Sequence, residues 1–214
     1  SGDHVPPLTE KMGDYHPLVF DFDMKFSDKI KEKPYSLTFL KHLSEFLWVC
    51  IGDIIDIDDE SKYNDVYLMG KETPYPCSKG GYKSKDGIHF LYPKIILSRE
   101  SYKILCNHIQ SKQETLFQIF RDHCSVQPSN LDNTLFDGKF ARWLPYLCHK
   151  EGEEPYKLDY VFVMAQGSAE QKNQALVTGP SSIYTDERIM IEMSMFRTGL
   201  KENVSYTEYT ENQL

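Results

Sequence analysis

Apolar and polar positions alternate and cluster so as to divide the 214-residue chain into short strands and amphipathic helices. The segment HPLVFDFDMKF at 16–26 places Leu18, Val19, Phe20 and Phe22 in a mostly apolar strand, with Asp21 and Asp23 at alternate positions. Residues 35–51 follow with Leu37, Leu40, Leu43, Phe46 and Leu47 at helical spacing, Ser36 as N-cap and Gly52 as the stop. The acidic run 53–60 reads as a solvated loop ahead of a strand at 65–69. Residues 70–87 read as a loop carrying Lys71, Lys79, Lys83 and Lys85, and 88–92 as a second short strand ended by Pro93. One long helix is predicted over 99–124, with Tyr102, Leu105, Ile109, Leu116, Ile119 and Phe120 on its apolar face and Pro128 beyond its end. Further strands are predicted at 143–147 and 158–164, around a turn at 150–156. Residues 189–196 fit either strand or helix, and 201–214 read as a polar, frayed tail or linker. Strands and long helices interleave, so the predicted class is α+β, with mixed sheets and packed helices.

Composition supports a packed domain. Hydrophobic residues make up 40% and aromatic residues 13% of the chain, enough to build a core without disulfides or a structural metal. The five cysteines include no CxxC pair, and an odd count points to a reducing compartment. Cys106/His108 and His123/Cys124 supply zinc-ligand types, but their spacing fits no standard site. The longest apolar run, 46–51, falls far short of the roughly 18 residues that span a bilayer. The first residues lack a basic region followed by an apolar one, so neither a membrane partner nor secretion is expected. The net charge of −8 argues against gripping duplex DNA with the whole surface. A local basic groove on an acidic body remains compatible with a nucleic-acid enzyme.

Three pieces carry candidate chemistry. On a strand, residues two apart share a face, so Asp21 and Asp23 stand side by side with Phe22 turned into the core. Two adjacent carboxylates suit a hard divalent cation, Mg²⁺ or Mn²⁺. The D-x-D pattern also occurs in glycosyltransferases, nucleases and phosphatases, so it leaves the purpose of the metal open. In KDGIHF at 85–90, Gly87 permits close approach of a phosphate, and His89 on the following strand can donate to a nucleotide triphosphate with lysines nearby. Asp132 is the second residue of LDNTLFDG and is followed by Arg142 and Lys150; alone it fits a turn or helix cap, and as a third carboxylate it completes a two-metal site.

Taken together and in this order, VFDFDMKF, DGIHFLYP and LDNTLFDGKFARWLPYLCHKEGEEPYKL resemble the archaeo-eukaryotic primase superfamily. The closer likeness is to the primase domain of primase-helicases of large nucleocytoplasmic DNA viruses, of the poxviral and asfarviral types. The resemblance covers about 16–160 and departs from the family where Gly-Ser-x-Lys is replaced by Leu147-Cys148-His149-Lys150. It implies a primase catalytic core over 1–200, with 201–214 as tail, and a metal-dependent DNA primase or primase-polymerase. In that reading Asp21, Asp23 and Asp132 are the catalytic, metal-holding residues for Mg²⁺ or Mn²⁺. His89, Lys83, Lys85, Arg142 and Lys150 bind nucleotide or template. Implied partners are a single-stranded DNA template, NTP or dNTP, and a fused or bound superfamily-3 helicase domain. The implied setting is a viral replication factory in the host cytoplasm, or the nucleus.

Two other readings compete. The acidic charge and the absence of a basic arm suit a catalytically weak DNA-docking module of a larger replication protein. A nucleotide-sugar glycosyltransferase would use the D-x-D pair, but it gives no role to Asp132 or to the His89 strand.

Overall fold

The computed structural model describes residues 13–57, 63–77, 79–131, 154–165, 168–171 and 199–211. Its centre is one antiparallel sheet in the order β6-β1-β5-β3-β7-β8, formed by β1 (Tyr15–Phe26), β3 (Asp65–Gly70), β5 (Ser84–Ser98), β6 (Asn130–Leu131), β7 (Lys157–Ala165) and β8 (Ser168–Gln171). The short β4 (Tyr75–Pro76) adds to β5. Every pairing among the described strands is antiparallel, and this sheet with its packed helices gives the α+β class expected.

Alternation along β1 explains the layering. Leu18, Phe20, Phe22, Met24 and Phe26 are buried in one core with Ile88, Phe90 and Tyr92 of β5. Helices cover that face: α1 (Leu37–Ile54), α2 (Arg99–Ser111) and α3 (Gln113–His123). The Phe39 ring of α1 meets Phe120 of α3 edge-on at 4.9 Å, and Phe22 meets Phe90 at 5.6 Å. Aromatic pairs of this kind hold helix to helix and strand to strand beyond their area burial. Ser36 caps α1, its side chain accepting from the Phe39 N–H.

Several expected boundaries change. Helix α1 runs through Gly52 to Ile54, because Ile51 and Ile54 are buried and packing outweighs the weak helix propensity of one glycine. Asp53 is therefore a helical residue, and it accepts from His108 Nε2 at 2.9 Å and from Lys112, tying α1 to α2 instead of lying in a solvated loop. The predicted long helix is two, α2 and α3, broken at Lys112 (φ −104°, ψ 18°). The loop expected over 70–87 contains β4, a short 3₁₀ turn (Lys79–Gly81) and the first residues of β5. Strand β5 also continues past Pro93. Pro17 pairs with Ile96 and Leu18 with Tyr92, so residues 93–95 form a bulge where the proline needs no ladder hydrogen bond.

The polar stretch from residue 201 docks where fraying was expected. Its β9 (Ser205–Tyr206) pairs with β2 (Ile55–Asp56), and a last turn, α4 (Glu208–Glu211), follows. Asn203 accepts from the Ile96 N–H at 2.9 Å and donates to Lys94 O at 2.8 Å, filling backbone sites at the bulge end of β5. The strand predicted at 143–147 and the segment 189–196 lie outside the described residues. Among the described residues, no helix is long and apolar enough to cross a membrane.

Candidate active site

Opposite the helix-packed face, β1 presents Asp21, Asp23 and Lys25 at alternate, partly exposed positions. The shared face read from their spacing is thus present. Pairing with β5 sets Asp21 across from His89, Asp23 across from Gly87 and Lys25 across from Lys85. His89 Nε2 lies 3.4 Å from Asp21 Oδ1. Lys85 Nζ reaches along the strand and donates to Asp23 Oδ2 at 2.6 Å. Four of the predicted residues, Asp21, Asp23, His89 and Lys85, therefore meet on two neighbouring strands.

The electrostatics of this group follow from its burial. Loss of water, and then the neighbouring Asp21 carboxylate, push Asp23 above the ordinary carboxylate range, with Lys85 and His89 pulling the other way. Burial opposes the Lys85 ammonium, but attraction to Asp23, with further help from Tyr75 and Asp21, outweighs it and raises the Lys85 pKa. Lys85 is therefore a fixed cation held against a strained pair of anions.

Tyr156, Lys71 and Tyr75 complete the site, and the sequence pattern did not single them out for it. The Tyr156 ring stacks on the His89 ring with centroids 3.7 Å apart and planes 17° apart. Lys71 is buried, its Nζ 3.7 Å from the centroid of Tyr75 and 5.3 Å from that of Tyr156. Gly87 makes room for this arrangement. A Cβ there would fall 2.6 Å from the Tyr156 hydroxyl and 3.4 Å from Asp23 Oδ1. The glycine read as an approach for phosphate thus accommodates a tyrosine. No local signal could have found Tyr156, because it comes from just before β7 and is brought over the site by the pairing of Lys157 with Gly70.

On the other side of β5, Asp86 is fully buried. Burial raises its pKa to about 6, with Lys33, the Gly87 N–H and the Tyr35 hydroxyl offsetting part of the cost.

The remaining predicted residues divide in two. Lys83 stands apart, exposed to solvent and 3.9 Å from the exposed Asp28. Asp132, Arg142 and Lys150 lie outside the described residues. Leu131, the residue before Asp132, pairs with Met24, which lies between Asp23 and Lys25, so β6 runs beside the aspartate strand.

Among the described residues, no group of three or more His, Cys, Asp and Glu side chains is arranged to hold a metal ion. The donors present nonetheless fit a hard divalent cation. Two carboxylates share one face, Asp23 carries the penalty of an adjacent like charge, and a lysine ammonium already occupies one carboxylate oxygen as a cation would.

A family model described as the C962R protein N-terminal AEP domain, AEP standing for archaeo-eukaryotic primase, matches residues 3–162. A search of curated proteins found no match.

Proposed function

The chain belongs to the C962R N-terminal AEP family of archaeo-eukaryotic primase domains, and on that premise we propose that it joins nucleotides on a single-stranded DNA template by metal-dependent nucleotidyl transfer, as a primase or primase-polymerase in viral DNA replication. The observation that carries this reading is the Asp21/Asp23 pair on one strand face with His89 3.4 Å from Asp21 on the next strand. An acidic pair beside a hydrogen-bond donor suits a reaction in which charge must be neutralised around a triphosphate.

In this proposal Asp21, Asp23 and Asp132 hold Mg²⁺ or Mn²⁺. Such ions, when bound, supply the charge that lowers the pKa of an attacking 3′-hydroxyl and neutralises a departing pyrophosphate. The chain's own residues do the rest. His89 donates to a phosphate oxygen of the incoming nucleotide. Lys85, a persistent cation beside Asp23, offers a second phosphate contact. Lys83, Arg142 and Lys150 contribute positive charge to triphosphate or template. A superfamily-3 helicase domain, fused or bound, is the proposed partner, and a viral replication factory in the host cytoplasm, or the nucleus, the proposed setting.

The test is primer synthesis and extension on a single-stranded DNA template with Mn²⁺ or Mg²⁺ and NTPs or dNTPs. Asp21→Ala and Asp23→Ala should each abolish product while circular dichroism shows an intact fold. Near-wild-type activity in either variant would remove the metal assignment. A wild-type chain with no product and no thermal stabilisation by Mn²⁺ with dNTP would favour the docking module instead.

A further inference from the structure

We propose that Tyr156 is the positioning residue of His89, fixing the imidazole so that its edge serves the nucleotide. The inference rests on the reading above that His89 contacts nucleotide phosphate.

The imidazole is attached through two rotatable bonds, and a hydrogen bond from a ring nitrogen is directional. A ring free to turn would lose that direction. His89 is held on its face by Tyr156, stacked at 3.7 Å and 17°, while its Nε2 edge is turned towards Asp21. The stack therefore takes up a face of the buried ring, and the Nε2 edge meets Asp21.

Tyr156 is itself fixed from several sides. Its hydroxyl passes over Gly87, where a Cβ would approach to 2.6 Å. Lys71, with almost no exposed surface, holds its Nζ 3.7 Å from the Tyr75 centroid and 5.3 Å from that of Tyr156. The backbone is pinned next door, where Lys157 pairs with Gly70. Orientation fixed before the nucleotide arrives is orientation that binding need not supply.

The experiment uses the full chain and two readouts. The first is the NMR spectrum of the histidine rings, with the His89 signals assigned by their loss in His89→Gln. In the wild type those signals should carry a ring-current shift from the stacked phenol. Tyr156→Leu should remove it and Tyr156→Phe should keep it. The second is steady-state nucleotide incorporation. Tyr156→Leu should raise the nucleotide KM roughly three- to tenfold, in line with the worth of an aromatic pair, with a smaller change in kcat. Tyr156→Phe should restore KM, and Tyr156→Leu should add nothing in the His89→Gln background.

An equal KM increase with and without His89 would overturn the positioning role while leaving the reading of His89 intact. An unchanged KM in His89→Gln would overturn the reading of His89 and the positioning role with it. If Tyr156→Leu fails to fold, Gly87→Ala displaces the same ring through its hydroxyl end, which a Cβ there would approach to 2.6 Å. It should weaken the His89 ring-current shift, and an unaltered shift there would count against the proposal.

Discussion

Lys85 Nζ sits 2.6 Å from Asp23 Oδ2, and both side chains are mostly withdrawn from water. The lysine thus offsets part of the repulsion between Asp23 and Asp21. Removing one partner of such a pair costs more than the pair contributes, because the other charge is left without compensation. Lys85→Met should therefore lower stability by about 1–3 kcal/mol in EDTA. Mn²⁺ should recover part of the loss by taking over the neutralising role, giving a larger metal-induced Tm shift than in the wild type. Thermal melts with and without Mn²⁺ check this, and equal shifts in the two proteins would speak against it.

The legible part of this site was the part set by local geometry. Period-two alternation at Leu18, Phe20 and Phe22 placed Asp21 and Asp23 on one face, and the β1 burial pattern has that form. His89 and Lys85 were visible as residue types, but their arrival opposite β1 depends on a register set across a bulge at residues 93–95. Tyr156 and Lys71 were not legible as site residues. Their relation to His89 exists only through the β3–β7 and β3–β5 pairings. The same limit hid the break at Lys112, where apolar spacing continues from Ile109 to Leu116 through a backbone that turns.

Gly87 gives a second, sharper test of the packing. Alanine there would set its Cβ 2.6 Å from the Tyr156 hydroxyl, and 3.6 Å from the ring carbon that bears it. Gly87→Ala should destabilise by about 1–3 kcal/mol through overpacking. Tyr156→Phe removes the clashing oxygen and leaves the carbon at ordinary contact distance. The double variant should recover most of the loss, so the two changes should be strongly non-additive in urea denaturation. Additive losses would place the clash elsewhere.

Asp86 predicts a pH dependence of defined sign. Burial raises its folded pKa from the ordinary 3.8 to about 6, so the folded state holds the proton more tightly than the unfolded chain does. Its contribution to stability is full below about pH 4 and is lost as pH rises through about 6. Asp86→Asn keeps an acceptor for the Gly87 N–H and removes the titration. The variant should gain stability over the wild type on going from pH 4.5 to pH 7.5, by an amount on the order of 2 kcal/mol. A difference between the two proteins that does not change with pH would show that the carboxyl is not the titrating group.

Glu202 should act with the opposite sign. Its Oε1 accepts from the Ser98 N–H at 2.9 Å and from Ser101 Oγ at 2.9 Å, and the Tyr206 hydroxyl also donates to it. Burial works against the charge, but these donors outweigh it and hold the carboxyl below its ordinary range. The stability it supplies is present above its unfolded pKa and is lost as pH falls through the folded value. The residue is partly exposed, so the effect is screened; Glu202→Gln should cost on the order of 1 kcal/mol at pH 7. That cost should shrink in acid, where the wild-type carboxyl is itself protonated. Because Glu202 ties the start of α2 to the segment that ends in β9, amide exchange in residues 202–207 should quicken in the variant at pH 7. Exchange rates unchanged there, with the Tm lowered all the same, would mean that Glu202 stabilises α2 without holding the docked segment.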